Sequence, residues 1–177
     1  SEKERIAKVA LDQLPDEGTV LLDSGTTTLR LAELLPGDRE LTVVTNSLPA
    51  ATALSGNSAI TLYLLGGRLR PRTQAAVGEW LTAALAELTI DVAFIGTNGL
   101  SLERGLTTPD PTEALAKRAM IAAARRAVIL TDSSKIGVAQ FSRFATFEDV
   151  AAIITDSGLD EETAALIEAA GPEVIRA

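Results

Sequence analysis

The segment with the clearest capacity for chemistry is Asp23-Ser24-Gly25-Thr26-Thr27-Thr28, which joins an apolar run to a helical pattern. The apolar run, Thr19 to Leu22, predicts a buried strand, and the leucines between Leu29 and Leu35 recur at helical spacing. A strand that turns through Gly25 into a helix leaves backbone N–H groups free at the helix start, where the positive end of the helix dipole also attracts anions. Four hydroxyl side chains in the turn add further donors. The segment predicts a phosphate-binding loop; the alternative is an ordinary capped turn, because Ser and Thr are preferred helix caps.

Small or polar residues also follow four later apolar segments that predict strands. They are Thr45-Asn46-Ser47, Gly66-Gly67, Thr97-Asn98-Gly99 and Asp132-Ser133-Ser134-Lys135. In an open parallel sheet, ligands bind in the crevice beyond the carboxyl ends of the strands, so the five strand ends together predict one polar pocket. Each later end has a simpler alternative: Asn46 and Ser47 suit a helix cap, and both Gly66-Gly67 and Asn98-Gly99 suit turns.

Several charged residues have more than one interpretation. Glu113 and Lys117 are spaced i,i+4, which suits a solvated salt bridge on a helix as well as a pocket wall. Lys135 is either a surface charge or a cation that reaches the crevice. The segment Arg68–Thr73 carries three arginines, the strongest local positive charge of the chain. It predicts an irregular basic loop that guards the pocket mouth, contacts a partner or is simply exposed.

Composition restricts the class of protein further. The chain has 177 residues, of which 46% are hydrophobic and 3% aromatic, so the core is built from Ala, Leu, Val and Ile. A net charge of −8 argues against direct binding of DNA or RNA, although a local field can still attract an anionic ligand. The absence of cysteine and histidine excludes disulfides, Cys or His metal sites and His-based triads, and no metal or cofactor is predicted. No apolar stretch reaches the roughly 18 residues of a membrane span and the first residues do not resemble a signal peptide, which predicts a cytoplasmic protein with no membrane partner.

Apolar periodicity and turn residues predict alternating helices and strands. Helices are expected over 3–14, Thr26–Leu35, 46–54, Gly78–Leu88, Thr112–Ala124 and Asp160–Ala170. Strands are expected over Val20–Asp23, Leu41–Thr45, Ile60–Leu65, Asp91–Gly96, Ala127–Asp132, Val150–Asp156 and Glu173–Ile175, with a second loop over Ser101–Pro111. The alternation predicts a single α/β domain over residues 1–177, with a doubly wound, largely parallel sheet.

An ordered set of short motifs resembles a known family over nearly the whole chain. The motifs are Asp23-Ser24-Gly25-Thr26-Thr27, Val44-Thr45-Asn46-Ser47, Leu65-Gly66-Gly67, Gly96-Thr97-Asn98-Gly99, Gly105-Leu106-Thr107-Thr108, Glu113 with Lys117 to Met120, Thr131-Asp132-Ser133-Ser134-Lys135 and Ile153-Ile154-Thr155-Asp156. Together they resemble the C-terminal effector domain of the DeoR family of bacterial repressors of sugar metabolism. The resemblance implies a fold like that of ribose-5-phosphate isomerase and glucosamine-phosphate deaminase.

The resemblance also implies a function. Such domains bind a phosphorylated sugar, usually form homo-oligomers, and alter operator affinity through an N-terminal winged helix-turn-helix domain. Residues 2–7 resemble the junction before the sensor, so we expect the DNA-binding domain to be absent from this chain and DNA contact to require it. Residues Gly105 to Asp110 resemble members that sense fructose phosphates, which favours fructose 1-phosphate as the effector.

Site residues follow from the resemblance, position by position. Those expected to cradle the phosphate are Ser24, Gly25, Thr26 and Thr27. Those expected to line the sugar site are Asn46, Gly67, Asn98 and Gly99. Glu113 and Lys135 are expected to reach sugar hydroxyls or the phosphate, and Asp23 to lie at the pocket floor. Arg68 is added to the expected site not from the resemblance but from the positive charge of its segment.

An enzyme on the same fold, a sugar-phosphate isomerase or deaminase, is the alternative function. Moving a proton between adjacent carbons requires a general base. The related enzymes supply a carboxylate-rich loop after the fourth strand, where this chain has Thr97-Asn98-Gly99-Leu100-Ser101 and no acid. Asp23, Glu113 and Asp132 remain as possible bases, but each has a simpler role, so the sequence favours a sensor. A third hypothesis, an assembly domain with a vestigial pocket, predicts that no ligand changes its stability.

Overall fold

The computed structural model describes residues 1–177, which form twelve strands and six α-helices. The strands are β1 (Gly18–Leu22), β2 (Leu41–Thr45), β3 (Ile60–Leu64), β4 (Arg68–Arg70), β5 (Ala75–Val77), β6 (Ile90–Gly96), β7 (Gly99–Ser101), β8 (Gly105–Thr108), β9 (Ala124–Leu130), β10 (Ser142–Ala145), β11 (Ala152–Thr155) and β12 (Glu173–Arg176). The helices are α1 (Glu2–Ala10), α2 (Thr26–Leu34), α3 (Leu48–Leu54), α4 (Glu79–Ala86), α5 (Pro111–Ala123) and α6 (Glu161–Ala169). Every predicted helix and strand is present within a few residues of its expected bounds.

Seven strands form one sheet in the order β12-β11-β9-β6-β1-β2-β3, and each neighbouring pair is parallel. Side chains on a strand alternate between the two faces of a sheet. On β1, Val20 and Leu22 join one apolar cluster with Ile6 of α1, whereas Leu21 joins the other with Leu81 of α4. Helices α1–α3 cover the first face and α4–α6 the second. The predicted α/β class and doubly wound sheet are confirmed.

Two smaller sheets correct the sequence prediction. The segment predicted to be an irregular basic loop forms strand β4, which pairs with β5 in an antiparallel hairpin. The predicted loop over Ser101–Pro111 contains β8, which pairs with both β7 and β10. Each of these strands has only three or four residues, too few for alternation to be recognised, and β10 pairs with a segment more than thirty positions away.

None of the six helices has the length and apolar composition that crossing a bilayer requires.

Candidate ligand-binding site at the carboxyl ends of β1 and β6

The order of strands places a crevice beside β1. From β1 the chain adds β2 and β3 on one side, then returns to add β6 on the other. Such a reversal separates the loops that leave the two central strands, and it is where α/β sheets bind ligands. A cavity of about 380 Å³ lies there, within the size range of small-molecule sites. Most of its lining comes from the segments at the ends of β1, β6 and β9, which are residues 24–29, 96–98 and 130–132.

The turn from β1 into α2 presents free backbone donors. Gly25 is the N-cap of α2 with φ of 129°, a conformation that suits glycine, and no side chain caps the helix. The first intrahelical bond runs from the Leu29 N–H to the Gly25 carbonyl, 3.0 Å away, and the N–H groups of Thr26 to Thr28 have no protein acceptor. The alternative of an ordinary side-chain-capped turn is therefore wrong at this position. An anion at the helix start would satisfy these donors and the dipole together.

Beneath this turn lies a group that we call the floor, made of Asp23, Gly96 and Lys117. Asp23 is 2% exposed and its carboxylate accepts hydrogen bonds from the Ser24 N–H at 2.8 Å, the Gly96 N–H at 3.1 Å and the Lys117 ammonium at 2.5 Å. Lys117 also donates to the Gly96 carbonyl at 2.8 Å and lies 5.5 Å from the centroid of the Phe144 ring. The floor ties β1, β6 and α5 together, and its Gly96 and Lys117 also line the cavity.

Glu113 and Lys117 do not pair with each other, which corrects the salt bridge that their spacing suggested. Arg70 of the β4–β5 hairpin contacts Glu113 at 2.7 Å and Asp110 at 3.5 Å. Asp110 in turn caps α5 by accepting from the Glu113 N–H at 3.1 Å. Glu113 and Lys117 therefore pair with Arg70 and Asp23, which lie in other segments of the chain. Glu113 presents a paired carboxylate to the cavity, and the hairpin is held against α5.

Three cations in the lining have no carboxylate within 4.0 Å: Lys3, Arg72 and Lys135. Lys3 comes from the first turn of α1, Arg72 from the hairpin turn and Lys135 from the segment after β9. Their only counterbalancing acids in the lining are Glu113, already paired, and Asp132. The cavity is therefore locally positive although the whole chain carries a net charge of −8.

The segment that presents Lys135 is itself held by carboxylates. Asp156, at the end of β11, accepts from the Ser133 N–H at 2.8 Å and the Gly158 N–H at 2.7 Å. Burial raises the pKa of Asp156, but these hydrogen bonds outweigh it and the pKa lies below its usual 3.8. Asp132 accepts from both the N–H and the hydroxyl of Ser134. Both oxygens of Asp156 thus accept a hydrogen bond, whereas the Ser134 contacts use only Oδ1 of Asp132.

The structure brings together seven of the predicted site residues in the cavity lining. They are Ser24, Gly25, Thr26, Thr27, Asn98, Glu113 and Lys135. Asp23 lies directly below them in the floor.

Asn46, Gly67, Arg68 and Gly99 lie outside the lining, which corrects their predicted placement. The Asn46 amide donates to the Ala76 carbonyl at 2.9 Å, so it anchors the hairpin. A side chain at Gly67 would place its Cβ 2.6 Å from the Val77 carbonyl oxygen, and one at Gly99 would place its Cβ 2.5 Å from the Val138 carbonyl oxygen. Both glycines are thus explained by close packing of the protein's own backbone. Arg68 is exposed on β4.

Sequence reasoning left several lining residues out of the predicted site. Thr97 and Thr131 directly follow β6 and β9, and their position after a strand could have identified them. Ser47 lines the cavity and also caps α3 through the Ala50 N–H at 3.2 Å, so its predicted capping role is confirmed. Lys3 carries no local sequence signal, because it reaches the cavity from another helix.

A protein-family model described as the DeoR C terminal sensor domain matches residues 1–157. The HTH-type transcriptional regulator GlpR of Haloferax volcanii is 38% identical over 173 residues, which are 98% of this chain and 68% of that protein. A Bacillus subtilis protein named as an uncharacterized HTH-type transcriptional regulator, FruR, is 40% identical over 88% of this chain and 62% of its own length. The HTH-type transcriptional repressor GlcR of Bacillus subtilis is 32% identical over 98% of this chain and 67% of its own length. The chain thus spans about two thirds of these relatives.

Solved structures with the same fold are more distant. Ribose 5-phosphate isomerase A of Methanocaldococcus jannaschii superposes with a TM-score of 0.54 at 19% identity, over 76% of this chain and 53% of that one. The eIF2B delta subunit of Chaetomium thermophilum gives a TM-score of 0.58 at 14% identity, over 86% of this chain and 54% of that one. At these identities the likeness shows the fold alone, and it confirms the expected resemblance to the isomerase. The relatives named above are regulators, which confirms the prediction of a regulatory domain in place of an enzyme. The chain belongs to the DeoR family, of which it forms a C-terminal sensor domain.

Proposed function

We propose that this domain binds a phosphorylated sugar and that binding alters the operator affinity of the regulator that contains it. The observation that carries the proposal is the start of α2, where three N–H groups without a protein acceptor face a cavity with three unpaired cations. A phosphate group matches both features, because it carries negative charge and several acceptor oxygens. The names of the relatives, which are HTH-type regulators, support the regulatory part of the proposal.

The phosphate is placed at the start of α2, over Gly25 to Thr27. Lys135 supplies charge from the opposite side of the cavity, and Glu113 accepts from sugar hydroxyls. Residues Arg72 and Thr73, at the turn of the hairpin, line the cavity and are proposed to contact the sugar. Fructose 1-phosphate is the favoured ligand, a choice that comes from the family resemblance of Gly105 to Asp110.

The proposed site binds its ligand without converting it. Isomerisation needs a base that can accept a proton from carbon. Asp23 already accepts from three donors, one of them the Lys117 ammonium, Glu113 is paired with Arg70 at 2.7 Å, and Asp132 accepts from Ser134. A sensor without turnover does not consume its own signal.

The effect on DNA is proposed to work by a shift of population. A ligand shifts an equilibrium only through its different affinities for the two states, so the bound and free arrangements must differ at the cavity. DNA contact is assigned to a helix-turn-helix domain of the longer regulator.

We also propose that copies of this domain associate. Trp80 and Phe141 are 79% and 81% exposed, and this apolar surface is what a second copy would cover. If light scattering gave the mass of a monomer at every protein concentration, the proposed association would be wrong.

A thermal-unfolding panel tests the ligand. It contains fructose 1-phosphate, fructose 6-phosphate, fructose 1,6-bisphosphate, ribose 5-phosphate, glycerol 3-phosphate and unphosphorylated fructose. At 100 times its dissociation constant a ligand stabilises the folded state by about 2.7 kcal/mol. For a domain of this size we expect the Tm to rise by roughly 5–10 °C with one phosphorylated sugar and to stay unchanged with free fructose. No rise with any phosphorylated compound would favour the assembly domain with a vestigial pocket.

A further inference from the structure

Helix α1 begins at the rim of the cavity. Its second residue, Lys3, lines the cavity, and the Lys3 ammonium donates to the Thr26 hydroxyl at 2.7 Å. Thr26 is the first residue of α2, whose N–H groups have no protein acceptor. The first turn of α1 therefore contacts the helix start to which the phosphate is assigned, across 23 positions of sequence.

The contact between Lys3 and α2 lacks a counter-charge. The N-terminal end of a helix carries a partial positive charge, so a lysine ammonium beside it is repelled. No carboxylate lies within 4.0 Å of the Lys3 ammonium. Because the Thr26 hydroxyl oxygen accepts from Lys3, its own proton remains available for another acceptor. An anion at the start of α2 would receive hydrogen bonds from both groups and would relieve the repulsion between them.

The first turn of α1 has few other attachments. Glu2, Glu4 and Arg5 are exposed, and the fully buried residues of the helix begin at Ile6. The helix N-cap, Ser1, accepts from the Glu4 N–H at a long 3.4 Å. Within this turn, Lys3 supplies the side-chain hydrogen bond to the body of the domain, and Arg5 adds only a charge interaction with Asp156.

From these contacts we propose that Lys3 is an effector-binding residue that couples occupancy of the cavity to the first turn of α1. The inference rests on the proposed function, and it adds a ligand contact and a route for the signal. The family model describes a C terminal sensor domain, so in such a regulator the preceding part of the protein arrives at α1. A phosphate held by both Lys3 and the start of α2 strengthens their existing contact and so orders the segment through which that part is attached.

Inorganic phosphate is the probe for this inference, and calorimetric titration measures its affinity. We expect Lys3→Met to weaken phosphate binding about tenfold, because it removes one charge-assisted hydrogen bond. Lys3→Arg keeps the charge and should retain most of the affinity. The matched control is Lys8→Met, on the same helix but exposed and outside the lining, which should bind as the wild type does.

Hydrogen exchange of the α1 amides measures the coupling. Saturating phosphate should slow exchange of residues 5–10 in the wild type and in Lys8→Met. In Lys3→Met, saturated with a correspondingly higher phosphate concentration, the slowing should be absent. If the role of Lys3 were purely structural, Lys3→Met would change the exchange rates of the α1 amides equally with and without phosphate.

The outcomes separate this inference from the proposed function. Equal phosphate affinity in the wild type and Lys3→Met overturns Lys3 as a ligand contact. Equal slowing of α1 exchange in both overturns the coupling. A wild type that binds neither inorganic phosphate nor any phosphorylated sugar overturns the proposed function and the inference with it.

Discussion

Two neighbouring sets of polar groups at the cavity differ in how they are satisfied. The floor, made of Asp23, Gly96 and Lys117, is paired within the protein, and its two side chains are 3% and 7% exposed. The wall, which we define as residues Gly25–Thr28, has backbone N–H groups for which the protein offers no acceptor. Buried polar groups that lack partners are costly, whereas a solvent-accessible cavity lets water or a ligand satisfy them. From this contrast we expect the floor to maintain the fold and, under the proposed function, the wall to contact the ligand.

The substitution expected to change stability most, and so to test this contrast most strongly, is Lys117→Met. The substitution leaves the Asp23 carboxylate buried without its cation, and breaking a buried ion pair by removing one partner costs about 3–5 kcal/mol. We expect the free energy of unfolding, measured with urea, to fall by about that amount. Asp23→Asn combined with Lys117→Met removes both charges and should recover part of the loss.

Lys135→Met is the matched control, because Lys135 lines the same cavity without an ion pair. We expect it to leave the free energy of unfolding nearly unchanged. If Lys117→Met kept its stability and lost only ligand affinity, the floor would belong to the binding surface and the contrast would be wrong.

A second test takes two adjacent hydroxyls of the wall. Thr28 is 1% exposed and donates to the Gly25 carbonyl at 3.0 Å, whereas the Thr27 hydroxyl has no partner within the protein. We expect Thr27→Val to weaken binding of a phosphorylated ligand by about 1–3 kcal/mol with no loss of stability. Thr28→Val should do the reverse and lower the free energy of unfolding by about 1 kcal/mol. Titration and urea unfolding of both variants measure the two effects, and equal ligand affinity in Thr27→Val and the wild type would remove Thr27 from the site.

The wall was more predictable from the sequence than the floor was. A strand, Gly25 and a run of hydroxyl residues are consecutive in the chain, so local periodicity and turn chemistry were enough to place a free helix start there. The parallel order of the sheet then brought the ends of β1, β6 and β9 to one rim, as the alternation of strands and helices predicted.

The floor depends on contacts between distant segments. Lys117 is four residues from Glu113, which favoured a helix salt bridge, but it pairs with Asp23, 94 positions away. The same limitation explains Gly67 and Gly99, whose sequence contexts resemble ligand approaches while the structure packs them against Val77 and Val138. Side-chain partners across a tertiary interface leave no periodic pattern, so local reasoning identified these residues but not their roles.

The smallest expected effect is on the opposite side of the cavity, where a carboxylate is again hydrogen-bonded within the protein. Asp156 holds the Ser133 N–H at 2.8 Å and so positions the segment that carries Lys135. Asp156→Asn should lower the free energy of unfolding at pH 7 by about 1 kcal/mol, because the amide keeps only part of the hydrogen bonding. Asp38→Asn, at an exposed carboxyl without a hydrogen bond, is the control.

The loss of unfolding free energy caused by Asp156→Asn should become smaller at acidic pH. The pKa of Asp156 is lower in the folded state than its ordinary 3.8, since hydrogen bonds from Ser133 and Gly158 outweigh the opposing effect of burial. A carboxyl with a depressed folded pKa stabilises the protein above its unfolded pKa, and this contribution is lost as the pH falls through the folded value. The difference in unfolding free energy between wild type and Asp156→Asn should therefore be constant from pH 7 to about pH 5 and shrink below about pH 4. A difference that stays constant to pH 3 would mean that Asp156 acts through shape alone, and only the floor would then depend on an internally satisfied charge.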